Sequence, residues 1–255
     1  MKRAGIIAAV ACGVVVFAGV ATWFAAFRDT ADPVTVDEAV TSFRTDTEPT
    51  PSEPSPIPPG VYVYATKGFE KTDALTGITH RYPRRSTITV AASDCGVRLT
   101  WRALKGRSTT WLYCVNDDGW ELRSQDERHT FFGHTERTTY VCEDTPIRPA
   151  MSSVGMRWGV SCATDGSSEH GVATELAGAL AQVAGSSVAT RHVRMTTTFS
   201  GAIRGTSRYD FWFHEQLGVP VKITLASRTT NDSPIGDVHY AELVALRLTS
   251  LEPRR

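Results

Sequence analysis

The sequence has no excess of charge of either sign. Its 255 residues contain 27 lysines and arginines and 27 aspartates and glutamates. Three of the basic residues, Lys2, Arg3 and Arg28, flank an N-terminal apolar run, which leaves 24 basic residues for the rest of the chain. Binding to a nucleic-acid backbone depends on an excess of positive charge. This balance therefore argues against a nucleic-acid-binding protein.

The motifs of common catalytic and nucleotide-binding sites are also absent. The chain has no G-x-S-x-G, no G-x-x-x-x-G-K-[ST] and no G-x-G-x-x-G. His214-Glu215 lacks the second histidine of a zinc protease, and His129 and His134 would face opposite sides of one strand, as surface or rim residues. We therefore expect no cofactor, no metal site and no enzymatic activity. A Ser/His/Asp triad assembled from distant strands would leave no such motif and stays open.

Two other polar features have an ordinary structural interpretation. The run Asn116-Asp117-Asp118-Gly119 lacks the spaced acidic ligands and the final glutamate of a calcium loop. It predicts a hairpin turn. Glu242 interrupts an alternating apolar series, and we expect a local bulge to rotate it outward. The alternative is a buried polar group that binds the headgroup of a ligand.

Cysteine is scarce, and its spacing excludes the usual zinc motifs. Four cysteines lie beyond the N-terminal run, and none of them forms a C-x-x-C pair. An even number of cysteines in an exported domain predicts two disulfides. Three connectivities exist, and we favour Cys95 with Cys114 and Cys142 with Cys162, because each pair is about 20 residues apart and flanks neighbouring strands.

Only one long hydrophobic run is present, residues 4–27, and it predicts a transmembrane helix. At about 1.5 Å per residue it is long enough to cross a hydrocarbon core of about 30 Å. The preceding basic residues place residues 1–3 in the cytoplasm and the C-terminal domain outside. A cleaved signal peptide usually has a shorter apolar region, of about 7 to 15 residues. Cleavage before Cys12 with lipidation is the other alternative.

An acidic, proline-rich linker, residues 28–60, follows the predicted anchor. It contains a single basic residue besides Arg28, Arg44. Its seven carboxylates are Asp29, Asp32, Asp37, Glu38, Asp46, Glu48 and Glu53. A short amphipathic helix is expected at 35–44, with Thr35 as its N-cap. Six prolines between Thr45 and Gly60 favour an extended spacer that holds the domain away from the membrane or cell wall.

Residues 61–255 predict one mainly β domain. Short segments of alternating apolar residues are separated by turns, and no Pro/Gly-rich linker divides them. A single helix is expected between Ser167 and Gly185, where Val172, Leu176, Leu180 and Val183 recur at helical spacing. The expected fold is an open, curved antiparallel sheet or half-barrel with this helix covering one face.

The C-terminal third resembles a known family. The segments DFWFHEQLGVPVKITLAS and GDVHYAELVALRL, within residues 190–250, are similar to hairpins of the periplasmic lipoprotein-carrier superfamily. The shared pattern is W-x-x-x-x-x-G-x-P, from Trp212 to Pro220. The resemblance implies a half-barrel that is closed by a helix and holds acyl chains. The arginine-rich, asparagine-poor composition also resembles single-pass exported proteins of high-GC actinobacteria.

Three functional hypotheses follow from this organisation. The first is a membrane-anchored extracytoplasmic module that binds a lipid or another apolar ligand, because one helix covers only one face of the sheet. The expected lining residues are Tyr209, Phe211, Phe213, Val221, Ile223 and Leu225. The second is a non-catalytic protein-interaction domain in a cell-envelope assembly, which should have a filled core and an exposed apolar patch. An enzyme is the third.

Overall fold

A computed structural model describes residues 31–46, 56–233 and 236–255 of the chain. The predicted anchor lies outside these residues. No helix within the described ranges is both long and apolar enough to cross a membrane. The elements are α1 (Val36–Asp46), β1 (Gly60–Thr72), β2 (Ile78–Arg81), β3 (Arg85–Ser93), β4 (Gly96–Leu104), β5 (Arg107–Asn116), β6 (Gly119–Phe131), β7 (His134–Cys142), β8 (Pro146–Pro149), β9 (Arg157–Thr164), β10 (Ser167–Leu176), β11 (Leu180–Val183), β12 (Ser186–Gly201), β13 (Ile203–His214), β14 (Pro220–Asn231) and β15 (Val238–Leu248).

Twelve of the strands form a closed antiparallel barrel. Neighbouring strands pair in the order β10-β9-β7-β6-β5-β4-β3-β1-β15-β14-β13-β12, and β10 pairs in turn with β12. The prediction of a mainly β fold is confirmed, whereas the prediction of an open sheet is wrong. Ten residue pairs, from Ser167↔Gly201 to Leu176↔His192, join the two strands that would have been the edges. Closure satisfies the backbone groups that an edge strand would leave unpaired.

The helix expected between Ser167 and Gly185 is absent, and β10 and β11 occupy these residues. Alternate side chains of β10 point inward, but they are polar or small, including Glu169, Ala173 and Glu175. The period of two is therefore invisible in the hydrophobicity pattern. Ala184 and Gly185 both have positive φ and form the turn between β11 and β12. This is hairpin geometry rather than a helix C-terminus.

The strand directions define two ends of the barrel. We call the end that carries the loops 143–156 and 177–179 the tip, and the end that carries the turns at 105–106, 132–133 and 232–237 the base. The described N-terminal segment joins the barrel at the base, where the Lys105 amide donates to the carbonyl of Asp32 at 2.8 Å. The Val34 amide donates to the carbonyl of Ala103 at 3.1 Å.

From the base, α1 runs along the outer wall towards the tip. It lies where the sequence predicts a short helix, and Thr35 is its N-cap. The Glu38 amide donates to Thr35 Oγ1 at 3.2 Å, and the Thr35 amide donates to Glu38 Oε2 at 2.8 Å, which is a capping box. Ala39 is buried against the wall. Near the end of the helix, Arg44 donates to the carbonyl of Arg255 at 2.5 Å.

Candidate functional site

Two disulfides cross-link strands of the barrel wall. Cys95, in the turn between β3 and β4, is bonded to Cys114 on β5. Cys142 and Cys162 are directly opposite each other on β7 and β9 and form the second bond. The predicted connectivity is confirmed. Disulfides form and persist in oxidising compartments, so the pair indicates an extracytoplasmic environment.

The six residues predicted to line an apolar ligand site all lie in the barrel interior. They are the buried residues Tyr209, Phe211, Phe213, Val221, Ile223 and Leu225, on β13 and β14. The three aromatic rings form a stacked column along β13, with ring centroids 5.5 Å apart at each step. The sequence alternation therefore identified the inward face of these two strands.

Side chains of the opposite wall contact this column. Strands β5 and β13 are six positions apart in either direction around the ring, so they face each other across the barrel. Even so, the ring centroids of Trp111 and Phe211 are only 6.3 Å apart, as are those of Trp120 and Phe213. Tyr64 Oη also donates to the carbonyl of Pro220 at 2.7 Å. The interior along this column is filled by the protein's own side chains.

Towards the base, the interior contains a network of buried charges. The guanidinium of Arg107 is fully buried and donates to both carboxylate oxygens of Glu242, at 3.2 and 2.9 Å. Tyr82 and Tyr240 donate to the same carboxylate. The Arg107 Nε atom also lies 3.7 Å from a carboxylate oxygen of Glu70.

Two histidines complete the network through Glu70. The Nδ1 atoms of His80 and His129 each lie 3.1 Å from a carboxylate oxygen of Glu70. Burial alone would raise the pKa of Glu70, but these hydrogen bonds and the charges of His129 and Arg107 lower it to about 2. Burial and Arg107 oppose protonation of His129, yet Glu127 and Glu70 outweigh them and raise its pKa.

The carboxylates of this network are paired within the network itself. Every carboxylate in it has a cationic or hydroxyl partner, as buried charges require. Within the described residues there is no group of three or more histidine, cysteine, aspartate or glutamate side chains that could hold a metal ion. The expectation that Glu242 is rotated outward by a bulge is wrong. Its strand pairs in continuous register with both neighbours, and the carboxylate is buried because Arg107 and two tyrosines bind it.

Other residues considered at the sequence level have local roles. His129 and His134 lie on different strands, and only His134 is exposed, so the expectation of a rim position fails for His129. The Asn116–Gly119 segment is a hairpin turn in which Asn116 Oδ1 accepts from the Asp118 amide at 3.0 Å. His214 Nδ1 accepts from the amides of Gln216 and Leu217 in the turn before β14.

The tip carries four exposed apolar side chains that sequence reasoning missed. Met151, Val154 and Met156, in the loop before β9, are 88%, 67% and 41% exposed, and Leu180 at the start of β11 is 72% exposed. Neither loop contains a charged residue over 150–156 or 177–180. The sequence feature that could have revealed these residues is an uncharged loop that contains methionine and lies between two strands. We call these four residues the tip patch.

Backbone hydrogen bonds hold the first of these loops in place. The Gly155 amide donates to the carbonyl of Glu175 at 2.8 Å, and the Glu175 amide donates to the carbonyl of Met156 at 2.9 Å. The side chain of Ser152 contacts Glu175 and Arg191, which form an ion pair at 2.8 Å. The apolar side chains are thus presented from an ordered loop, which reduces the entropy lost when a partner binds.

Comparison with known proteins finds no relative: no protein-family model, no curated protein and no solved structure matches the chain. The resemblance of residues 190–250 to lipoprotein carriers therefore stays a prediction.

Proposed function

We propose that this chain is a non-catalytic extracytoplasmic interaction module that binds a partner protein through the tip patch. The observation that carries the proposal is the contrast between a filled interior and exposed Met151, Val154 and Leu180. Apolar side chains exposed together at one end of a domain are typical of interaction sites when they form a contiguous surface. Methionine suits such surfaces because its side chain is flexible and polarisable.

The position of the tip patch favours a protein partner over the membrane that the anchor would cross. The N-terminal segment joins the barrel at the base, through Asp32 and Lys105. The proposed anchor ends at Phe27, five residues before Asp32. A tether this short keeps the base near the bilayer, and the tip lies at the opposite end. The proline-rich segment between Thr45 and Gly60 would then not act as the expected spacer, because the chain already contacts the barrel at Asp32 and Val34. Its partner is then another exported protein with a complementary apolar surface.

Binding of a lipid in the lumen remains the alternative. It requires that a ligand displace the aromatic contacts between β13 and the opposite wall. Mass spectrometry of lipids extracted from the purified full chain tests it directly. We expect no lipid in stoichiometric amount. Stoichiometric lipid that is lost in a Phe211→Asp variant, while the tip-patch variant described next retains it, would favour the lumen over the tip.

Site-specific photo-crosslinking in the native host tests the tip patch. A photoreactive residue at Leu180 is expected to capture one dominant partner protein, whereas the same residue at Leu75, which is 63% exposed at the base, should not. A Met151→Asp/Leu180→Asp double variant should abolish that complex without changing the Tm, because both side chains are already in solvent. Equal capture from both positions, or capture of lipid alone, would contradict the proposal.

A further inference from the structure

A groove of about 690 Å³ lies on the outer wall, beside α1 and away from the tip patch. Its floor is the outer face of β4, β5, β6 and β7, and residues of the N-terminal segment form one side. Its basic residues are Arg98, Arg102, Lys105, Arg128 and Arg137, its acidic residues are Glu38, Asp126 and Glu127, and the rest of its lining is Val34, Ser42, Thr100, Leu104, Ser108, Thr110 and Thr139. No aromatic side chain lines it.

Strand register aligns the cations in a row. Arg102 is directly opposite Ser108, Ser108 is opposite Arg128, and Arg128 is opposite Arg137. Neighbouring strands are about 4.8 Å apart, so the three arginines start from one line of backbone positions that crosses four strands. The adjacent row consists of Thr100, Thr110, Asp126 and Thr139, which places hydroxyl groups and one carboxylate beside the cations.

The acidic residues of the groove leave part of this positive charge uncompensated. Glu38 is engaged in the capping box with Thr35 and lies 3.4 Å from Lys105. Asp126 accepts a hydrogen bond from Thr139 at 2.5 Å. Glu127 belongs to the inward face of β6 and hydrogen-bonds to Gln125 there.

The four guanidinium groups of the groove have no ion-pair partner among the described residues. Across the ranges that the structure covers, Arg98, Arg102, Arg128 and Arg137 form no salt bridge, and the Nε atom of Arg128 is buried without a hydrogen-bond partner. Within these ranges Arg102 donates only to the hydroxyl of Ser42, at 3.4 Å. Arg128 and Arg137 are also cross-strand neighbours, and like charges in that position destabilise a sheet. An anion bound between them would remove this repulsion.

We propose that the groove binds an acidic polysaccharide whose carboxylate or phosphate groups are separated by uncharged sugar units. Arginine pairs with both kinds of oxyanion through two parallel hydrogen bonds. Asp126 and the threonine hydroxyls supply partners for sugar hydroxyl groups. A polymer with charge on every unit would instead place an anion against Asp126.

The lining argues against other partners for this groove. It has only two large apolar residues, Val34 and Leu104, so it offers no pockets for the anchor residues of an apolar peptide. Single-stranded nucleic acids bind through aromatic side chains that stack on the bases, and the groove has none. An exported domain would meet acidic polysaccharides at the cell surface.

Calorimetric titration of the full chain in detergent tests the inference. The probe is hyaluronate, in which a uronate alternates with an uncharged amino sugar, and the comparison polymers are dextran, polyglutamate and polyphosphate. We expect hyaluronate to bind most tightly, with an affinity that falls as salt is added. Arg128→Gln and Arg137→Gln should each weaken binding about tenfold, because each removes a charge-assisted hydrogen bond.

Arg123→Gln is the matched control, since it removes an exposed arginine of β6 that lies outside the groove lining. It should leave hyaluronate binding unchanged, and none of the three variants should unfold the chain. Arg128→Gln and Arg137→Gln should raise the Tm slightly, because each removes the cross-strand repulsion. Equal or tighter binding of polyphosphate or polyglutamate would overturn the choice of polysaccharide, and absence of binding would overturn the site. The Met151→Asp/Leu180→Asp variant should still bind hyaluronate, so this inference and the proposed function can fail separately.

Discussion

The two ends of the barrel are stabilised by different means. At the tip, Cys95–Cys114 anchors the turn between β3 and β4, and the stretches 150–156 and 177–180 contain no charged residue, whereas Cys142–Cys162 links β7 to β9 further along the wall. The base half contains the buried ionic network around Arg107, and its turns include Asp73, Asp165, Asp232 and Asp237. Covalent cross-links do not depend on pH, whereas a network of carboxylates and histidines does. The Cys95–Cys114 cross-link at the tip is therefore expected to act at any pH, whereas the ionic network of the base is expected to weaken when its carboxylates are protonated.

Removing the central cation should have the largest effect. Arg107→Met leaves the carboxylates of Glu70 and Glu242 buried without their cation, which is expected to cost about 3 to 5 kcal/mol of unfolding free energy. Urea unfolding at pH 7 measures it. The matched control, Arg123→Met, breaks an exposed pair with Glu121 and should cost less than about 1 kcal/mol. Equal losses in the two variants would show that the network adds nothing to the base.

Removing one disulfide should have the next largest effect. A double Cys95→Ser/Cys114→Ser variant opens a loop of 19 residues, which is expected to cost about 3 kcal/mol in the chain-entropy account. Removing Cys142 and Cys162, which are 20 residues apart, should cost a similar amount. Urea unfolding at pH 5 and pH 8 should give the same loss. A loss that varies with pH would contradict the assignment of a purely covalent role to these bonds.

Replacing a buried carboxyl group near the base by an amide should have a smaller effect, and it should increase the stability of the fold. Glu169 is buried on β10, and burial raises its pKa from 4.5 to about 7, despite a hydrogen bond from Thr197 at 2.6 Å. The folded state then holds a proton that the unfolded chain releases, so stability falls as pH rises from about 4.5 to about 7.

Glu169→Gln should therefore stabilise the fold by roughly 2 kcal/mol at pH 8 and change it little at pH 4. Thermal unfolding at the two pH values measures the difference. Thr197→Val is a useful comparison, because it removes the hydrogen bond and should raise the pKa of Glu169 further. A Tm gain that is the same at both pH values would mean that Glu169 is not protonated in the native state.

Lowering the pH should have the smallest effect and should destabilise the base more than the disulfide-linked strands. The pKa of Glu70 is lowered to about 2, so the stability that this carboxylate supplies is complete above about 4.5 and is lost as the pH falls towards 2. Hydrogen exchange at pH 3 should show faster opening of β1 and β2 near the base than of the disulfide-linked strands β7 and β9. Uniform opening would show that the barrel unfolds as one unit under these conditions.

Local patterns in the sequence identified much of the fold but little of the site. Tyr209, Phe211 and Phe213 alternate with polar residues, and their inward orientation follows from the period of a strand. Arg107 is an even number of residues from Trp111 and Tyr113, so the period of a strand places its side chain on the same inward face. The sequence does not show that this arginine is buried until the carboxylate that pairs with it is known. Glu242 lies 135 residues further along the chain. On β10 the inward residues are polar or small, so the alternation of a strand was hidden. The remaining apolar residues had helical spacing, which led to the wrong prediction of a helix.

Alternating side chains and paired cysteines by themselves determined that this protein is a mainly β domain with two disulfides, because both depend on neighbours along the chain or on a short loop. Only the tertiary structure decided that β10 meets β12, that Arg107 meets Glu242, and that the loops with Met151 and Leu180 share one end. Each of these contacts joins residues that are far apart in the sequence. Hydrogen bonding and burial determine which residues pair when the barrel closes.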